Sequence, residues 1–229
     1  MYTLTKGVII LRKLILFSFL ALVASLVFSP AALASSVEGK KVIIDPGHGG
    51  DDPGTTQCIG YDESQANLDI ALILADLVET NGGLPIMTRI TNDVTLSNEV
   101  RYTLANENKG DALVSIHLNG SLDHTKNGTL GLYAKIKKDK AFTEIIHNSL
   151  VESLTGIPNL GITNFMSGVT LKSEMPATMQ EAVYLSNTEE CGMLRDGDGS
   201  RQTQIAQAIF DGLEDWFSMT PVSFPKGRK

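Results

Sequence analysis

The amino-acid sequence predicts an α/β domain: a mostly parallel central sheet of about six strands with helices on both faces. Two observations carry this expectation. Short apolar runs, several rich in valine and isoleucine, alternate with longer segments of helical periodicity. Glycine, proline and asparagine punctuate the junctions, and neither internal repeats nor low-complexity tracts interrupt the pattern.

The first segment stands apart from this fold. Lys6, Arg12 and Lys13 give a positive start, an apolar run extends from Leu14 to Phe28, and Pro30 breaks it before Ala32-Leu33-Ala34. A basic start, a short apolar stretch and a small-x-small end describe a secretory signal peptide over residues 1–34. The run is short for a membrane span, which needs about 20 residues, so no stable membrane anchor is expected after cleavage. Cleavage after Ala34 would leave 195 of the 229 residues, enough for one domain with a substantial core. It would also remove three cations and no acid, taking the formal charge from −7 to −10. So acidic a chain is not expected to bind nucleic acid, and any anionic substrate must be held by local contacts.

After a short linker at residues 35–40, Val42–Asp45 reads as a strand running into a Pro-Gly turn. The stretch "VIIDPGHGG" leaves His48 among glycines at the strand's carboxyl end, where open parallel sheets bind their ligands. Asp62–Thr80 is expected as a helix, with Ala66, Ile70, Ile73, Leu74, Leu77 and Val78 on one face and Asn81-Gly82-Gly83 as its stop. Leu84–Thr88 is a second strand. Leu96–Asn108 is a second helix, with Val100, Leu104 and Tyr102 expected to face inward. Ala112–Leu118, "ALVSIHL", is a third strand and carries His117 to the same sheet edge as His48.

Further along, Leu130–Ile136 reads as a strand and Ala141–Leu154 as a helix with Phe142, Ile145, Ile146, Leu150 and Leu154 in register. Val169–Lys172 and Thr178–Leu185 read as short strands. A final helix carries Ile205, Ile209, Leu213, Trp216 and Phe217, with Ser200 as its N-cap. Residues 218–229 are expected as a flexible basic tail. Cys58 and Cys191 are the two cysteines; in an exported chain they can pair, and two free thiols is the reading favoured here.

Glu63 lies three, seven and eleven residues before Ala66, Ile70 and Leu74, which puts its carboxylate on the inward face of the helix's first turn. An acid there needs a partner, and a cation would supply one. Glu181 interrupts the strand "TMQEAVYL". It fits a wet-sided strand position and a chemical role about equally. Two imidazoles and a carboxylate on convergent element ends suit one divalent zinc ion with an open fourth position, and a second carboxylate could then move protons. The separations are long, however, and no H-E-x-x-H signature fixes two histidines on one helix. His124, in "SLDHTKNG", reads as a loop residue and His147 as a surface or edge residue.

Four blocks of sequence carry a resemblance that these residues alone do not supply. They are "VIIDPGHGGDDPG", Glu63 at a helix start, "MTRITNDVTLSNEVRYTLANENKGDALVSIHLN" and "MPATMQEAVYLSN". In order and spacing, Lys41 to Phe217 resembles the catalytic domain of the zinc-dependent N-acetylmuramoyl-L-alanine amidases of type 3. The resemblance implies His48, Glu63 and His117 as ligands of one Zn2+ per chain, and Glu181 as the catalytic glutamate. Arg89, Asp93 and Arg101 match positions that look structural. It further implies peptidoglycan as substrate, an exported location, and hydrolysis of the amide between N-acetylmuramic acid and L-alanine. Two departures stand out. Met179-Gln180 replaces an aliphatic pair before the glutamate, and residues 156–168 lack a common arginine. The short interval from His117 to Glu181 leaves no room for a self-blocking helix. A zinc peptidase cutting within the stem peptide and a catalytically silent wall-binding module are the alternative function classes.

Overall fold

The computed structural model describes residues 34–219; the expected signal peptide, apart from Ala34, and most of the expected tail lie outside the described residues. The elements from Ser35 onward are β1 (Lys41–Pro46), α1 (Glu63–Thr80), β2 (Leu84–Met87), α2 (Asn98–Glu107), β3 (Ala112–Asn119) and β4 (Thr129–Tyr133). They continue with α3 (Lys140–Ser153), β5 (Asn159–Asn164), α4 (Gly168–Lys172), β6 (Ala177–Tyr184), α5 (Thr188–Asp196) and α6 (Ser200–Ser218). The six strands form one sheet in the order β2-β1-β3-β6-β4-β5. Every neighbouring pair is parallel except β4 with β6, which is antiparallel.

Helices α1, α3 and α6 cover one face, over a core that includes Ile44, Ile70, Leu74, Val114, Phe142, Ile146 and Ile209. The other face is thinner. There α2 and α4 pack on Ile43, Leu113, Met175 and Ala177 through Ala105 and Val169. Burial on both faces explains why β1 and β3 read as continuous apolar runs rather than alternating ones.

Six details depart from the sequence reading. Val169–Lys172 is not a strand but lies in the short helix α4, while β5 is an edge strand in a stretch where none was expected. The β-branched content of "GVTLK" favours a strand, but one turn is all the chain needs to fold Val169 onto the thin face. Helix α5 was also not anticipated; Asn187 caps it by accepting from the backbone N–H groups of Glu189 and Glu190. Gly199, not Ser200, caps α6. In α2 the inward residues are Arg101 and Ala105, and Val100 is 47% exposed. Cys58 and Cys191 form a disulfide, contrary to the free thiols favoured above, and tie the loop before Glu63 to α5.

A buried polar cluster explains α2's orientation. Asp45 accepts hydrogen bonds from Arg101 Nη1 (2.7 Å), Thr88 Oγ1 (2.7 Å) and Ser115 Oγ (2.7 Å). Burial pushes the Asp45 carboxyl up, but the Arg101 guanidinium outweighs this and holds it below the usual carboxylate range. The same guanidinium donates to the carbonyls of Pro46 (2.9 Å) and His48 (2.8 Å). Arg89 donates to Gly47 O (2.8 Å) and Ser64 O (2.7 Å) through one nitrogen, joining the end of β1 to the start of α1. Both arginines therefore have the structural place expected of them. Asp93 is an exposed residue before α2.

Candidate metal centre and active site

Three side chains from three elements meet at the carboxyl edge of the sheet. His48 follows β1, Glu63 opens α1, and His117 lies near the end of β3; their donor atoms all fall within 4.8 Å of one another. One oxygen is the focus: Glu63 Oε1 lies 3.2 Å from His48 Nε2 and 3.1 Å from His117 Nδ1. The two rings meet edge to face with centroids 4.8 Å apart.

The surrounding backbone is shaped to this cluster. His48 has φ +61, a left-handed conformation that is uncommon for a residue with a Cβ. A Cβ on Gly47 would lie 2.3 Å from His117 Cε1 and Nε2, and one on Gly54 would lie 2.6 Å from Glu63 Oε2. Glycine at both positions makes room for the donors rather than merely for a turn. Glu63 also accepts from the backbone N–H of Thr55 (2.9 Å) and Leu118 (3.2 Å), which fixes its carboxylate.

The electrostatics call for positive charge. Burial pushes Glu63 up, yet hydrogen bonds and charge from His117 and His48 hold it far below the ordinary carboxylate range. Burial pulls His48 down, but Glu63 and Asp52 outweigh it and raise the ring to about 9. The His117 ring is likewise raised against burial, chiefly by Glu63. Both rings are shifted toward the protonated form, which supplies positive charge beside Glu63. A divalent metal would do the same and leave both rings neutral, as ligation requires. The donor set of two nitrogens and one carboxylate fits such an ion.

Glu181 stands beside this cluster because of strand register. β3 and β6 run parallel with His117 directly opposite Glu181, so both side chains leave the same face. Its Oε2 is buried without a hydrogen-bond partner. Burial, opposed by the charge on His117, raises the carboxyl to about 6. His48, His117 and Glu181 line a cleft of about 340 Å³ whose rim includes Leu96, Asn98, Phe165 and Ser167, while Glu63 is buried behind them. A larger groove, of about 470 Å³ between the end of α3 and the start of α6, is lined by hydroxyls, amides and Asp198 and holds no histidine.

The remaining histidines lie elsewhere. His124 is in a loop, as expected, with Nδ1 2.7 Å from Ser186 O. His147 is not at the surface: it is 2% exposed, donates from Nε2 to Asn159 Oδ1 (2.8 Å) and is kept neutral by burial. Sequence reasoning did not single out Asp52, whose Oδ2 lies 2.8 Å from His48 Nδ1. The available signal was its place four residues after His48, inside the glycine-rich turn. The rim residues Asn98, Phe165 and Ser167 carry no sequence pattern that separates them from ordinary loop residues.

The family model described as Amidase_3, N-acetylmuramoyl-L-alanine amidase, matches residues 42–215. The chain belongs to this family. LytC, an N-acetylmuramoyl-L-alanine amidase of Bacillus subtilis, is 29% identical to this Amidase_3 chain over 188 residues, 81% of this chain and 37% of LytC. The probable cell wall amidase LytH of Staphylococcus epidermidis is 31% identical over 188 residues, 81% of this chain and 61% of LytH. The match thus spans little more than a third of LytC and somewhat less than two thirds of LytH. Among solved structures, the catalytic domain of CwlV, an N-acetylmuramoyl-L-alanine amidase from Bacillus (Paenibacillus) polymyxa var. colistinus, superposes with a TM-score of 0.72. That match is 31% identical and covers 79% of this chain and 99% of CwlV's domain.

Proposed function

We propose that this Amidase_3 domain is a zinc-dependent N-acetylmuramoyl-L-alanine amidase, hydrolysing the amide between the lactyl group of N-acetylmuramic acid and the L-alanine of peptidoglycan stem peptides. The observation that carries the reading is the convergence of His48, Glu63 and His117 on one point, with an ionisable Glu181 beside it. Membership of the family supplies the substrate class.

In this reading His48, Glu63 and His117 hold one Zn2+. When bound there, zinc supplies Lewis-acid polarisation of the scissile carbonyl and lowers the pKa of an attacking water. Glu181 acts as the proton carrier. Its carboxylate accepts a proton from the water as the new C–O bond forms. It then delivers that proton to the alanine nitrogen as the C–N bond breaks. The products are a free lactyl carboxylate and a peptide with a free amino terminus. The partnerless Oε2 of Glu181 supports this role, because a buried oxygen without a structural hydrogen bond is free to exchange protons with a bound substrate. Leu96, Asn98, Phe165 and Ser167 on the rim would supply the local contacts that hold the substrate.

We also place the protein outside the cytoplasm, with residues 1–34 as a signal peptide, 35–40 as a linker, 41–217 as the catalytic domain and 218–229 as a tail. The disulfide supports an oxidising compartment. Among the described residues no helix is long and apolar enough to cross a membrane.

A digest of purified peptidoglycan, with and without chelator, tests the activity by mass. Free lactyl glycan with intact stem peptide, abolished by chelation and restored by zinc, is the expected result. Fragments cut within the peptide would make the enzyme a peptidase. Binding to insoluble wall with no released amine would make it a silent module.

A further inference from the structure

We propose that Asp52 is a positioning residue of the metal centre: its carboxylate selects which nitrogen of His48 faces the shared site and fixes the plane of the ring. The proposal rests on the reading of His48, Glu63 and His117 as metal ligands.

The backbone of His48 is already held. Its left-handed conformation is braced by Arg101 Nη2, which donates to the His48 carbonyl at 2.8 Å. That leaves the side chain with two torsions and two chemically different nitrogens. Nε2 lies 3.2 Å from Glu63 Oε1, and Nδ1 lies 2.8 Å from Asp52 Oδ2. A carboxylate only accepts hydrogen bonds, so Nδ1 must carry the proton. In the neutral ring that ligation requires, Nε2 then carries the lone pair and faces the donor cluster, in the tautomer a metal needs.

Asp52 is equipped to impose this. Its other oxygen accepts from Gly54 N at 3.2 Å. Its backbone exchanges both hydrogen bonds with Gly49, at 2.8 and 3.1 Å, so the two sides of the turn are locked together. Asp52 does not belong to the group of donors that lie within 4.8 Å of one another, so it acts through His48 and not on the metal. His117 is oriented by a different device, the bare Gly47 backbone against its ring. Beyond the Glu63 oxygen they share, the two rings are thus braced by different means, one by a hydrogen bond and one by packing.

The test measures the Zn2+ dissociation constant by competition with a chromophoric chelator, together with the thermal midpoint of the metal-free protein. Asp52→Ala should weaken zinc binding by about 10- to 100-fold and leave the metal-free midpoint unchanged. Asp52→Asn keeps an acceptor oxygen and should restore part of the affinity. Asp51→Asn removes the same charge one residue away, touches none of these contacts, and should bind zinc as the parent does. Unchanged affinity in Asp52→Ala, an equal loss in Asp51→Asn, or a matching fall in the metal-free midpoint would each overturn the positioning role. His48→Ala separates the two levels of the argument. If it binds zinc like the parent, the metal reading fails. If it loses zinc while Asp52→Ala keeps it, the proposal about Asp52 fails alone.

Discussion

Gly47 and His117 compete for one volume: a Cβ on the glycine would fall 2.3 Å from two atoms of the imidazole. Gly47 does not have positive φ, so alanine there is tolerated by the backbone and the ring is what must move. Gly47→Ala should therefore fold and yet bind zinc at least about tenfold more weakly, as displaced orienting groups typically cause. Circular dichroism and zinc titration on the same sample check both halves.

Removing the proposed proton carrier, Glu181, should separate binding from chemistry. Glu181→Gln is expected to retain one zinc per chain and to lose about 10²- to 10⁴-fold in amine release from peptidoglycan, the usual worth of a positioned acid–base group. Metal content and muropeptide release from one preparation decide it. Release near the parent's rate would remove Glu181 from the mechanism.

The same residue sets an acid limit. Burial lifts its carboxyl to about 6, so the proton-accepting form prevails above that pH and is lost below it. A bound cation favours the ionised form, which moves the limit downward. The acid limb of kcat/KM for the zinc-loaded enzyme should have its midpoint at or below about 6. A midpoint well above neutrality would show that some other group governs the limb.

Arg101 carries stability as well as geometry. Arg101→Met would strand Asp45 as a buried unpaired charge and should cost about 3–5 kcal/mol. The pH dependence should also change sign. In the parent, Asp45 lies below its ordinary value of 3.8, so its contribution is present above that value and lost as pH falls through the folded pKa. In the variant burial is opposed only by the Thr88 and Ser115 hydrogen bonds and the more distant charge of Arg89, so the carboxyl should rise and stability should increase as pH is lowered. Denaturant melts at several pH values on both proteins test this.

The disulfide joins residues 133 positions apart. Replacing both cysteines by serine should lower unfolding free energy by about 2–4 kcal/mol, because a long loop is no longer constrained in the unfolded chain. Urea midpoints of the oxidised protein and the double variant measure it. The zinc affinity of the folded variant should stay the same, since none of the four site residues depends on either sulfur.

Periodicity made most of this architecture legible. β1, α1, β2, α2, β3, β4, α3, β6 and α6 all fall within a few residues of expectation, because each buries a continuous or helically spaced apolar face. β5 escaped because it is a polar edge strand, "NLGITN", with little to bury. α4 and α5 escaped because each is too short to show a period. Val100 misled because the thin face needs Arg101 beneath α2 to meet Asp45, and that turns the helix away from its apolar stripe. His48, Glu63 and His117 could be nominated from residue type and element ends. What sequence could not supply was their meeting on a single oxygen, which depends on Arg89 tying Gly47 to Ser64. Glu181 was ambiguous for a similar reason: an acid in a strand is ordinary until register puts it across from a histidine.

That register has a design consequence. Adjacent strands sit about 4.8 Å apart in any β-sheet, so the spacing between Glu181 and His117 is inherited from the ladder itself, not tuned by a loop. The segments around Leu96 and Phe165 can then be altered, and the shape of the cleft's rim with them, while the distance between these two side chains' strands stays constant.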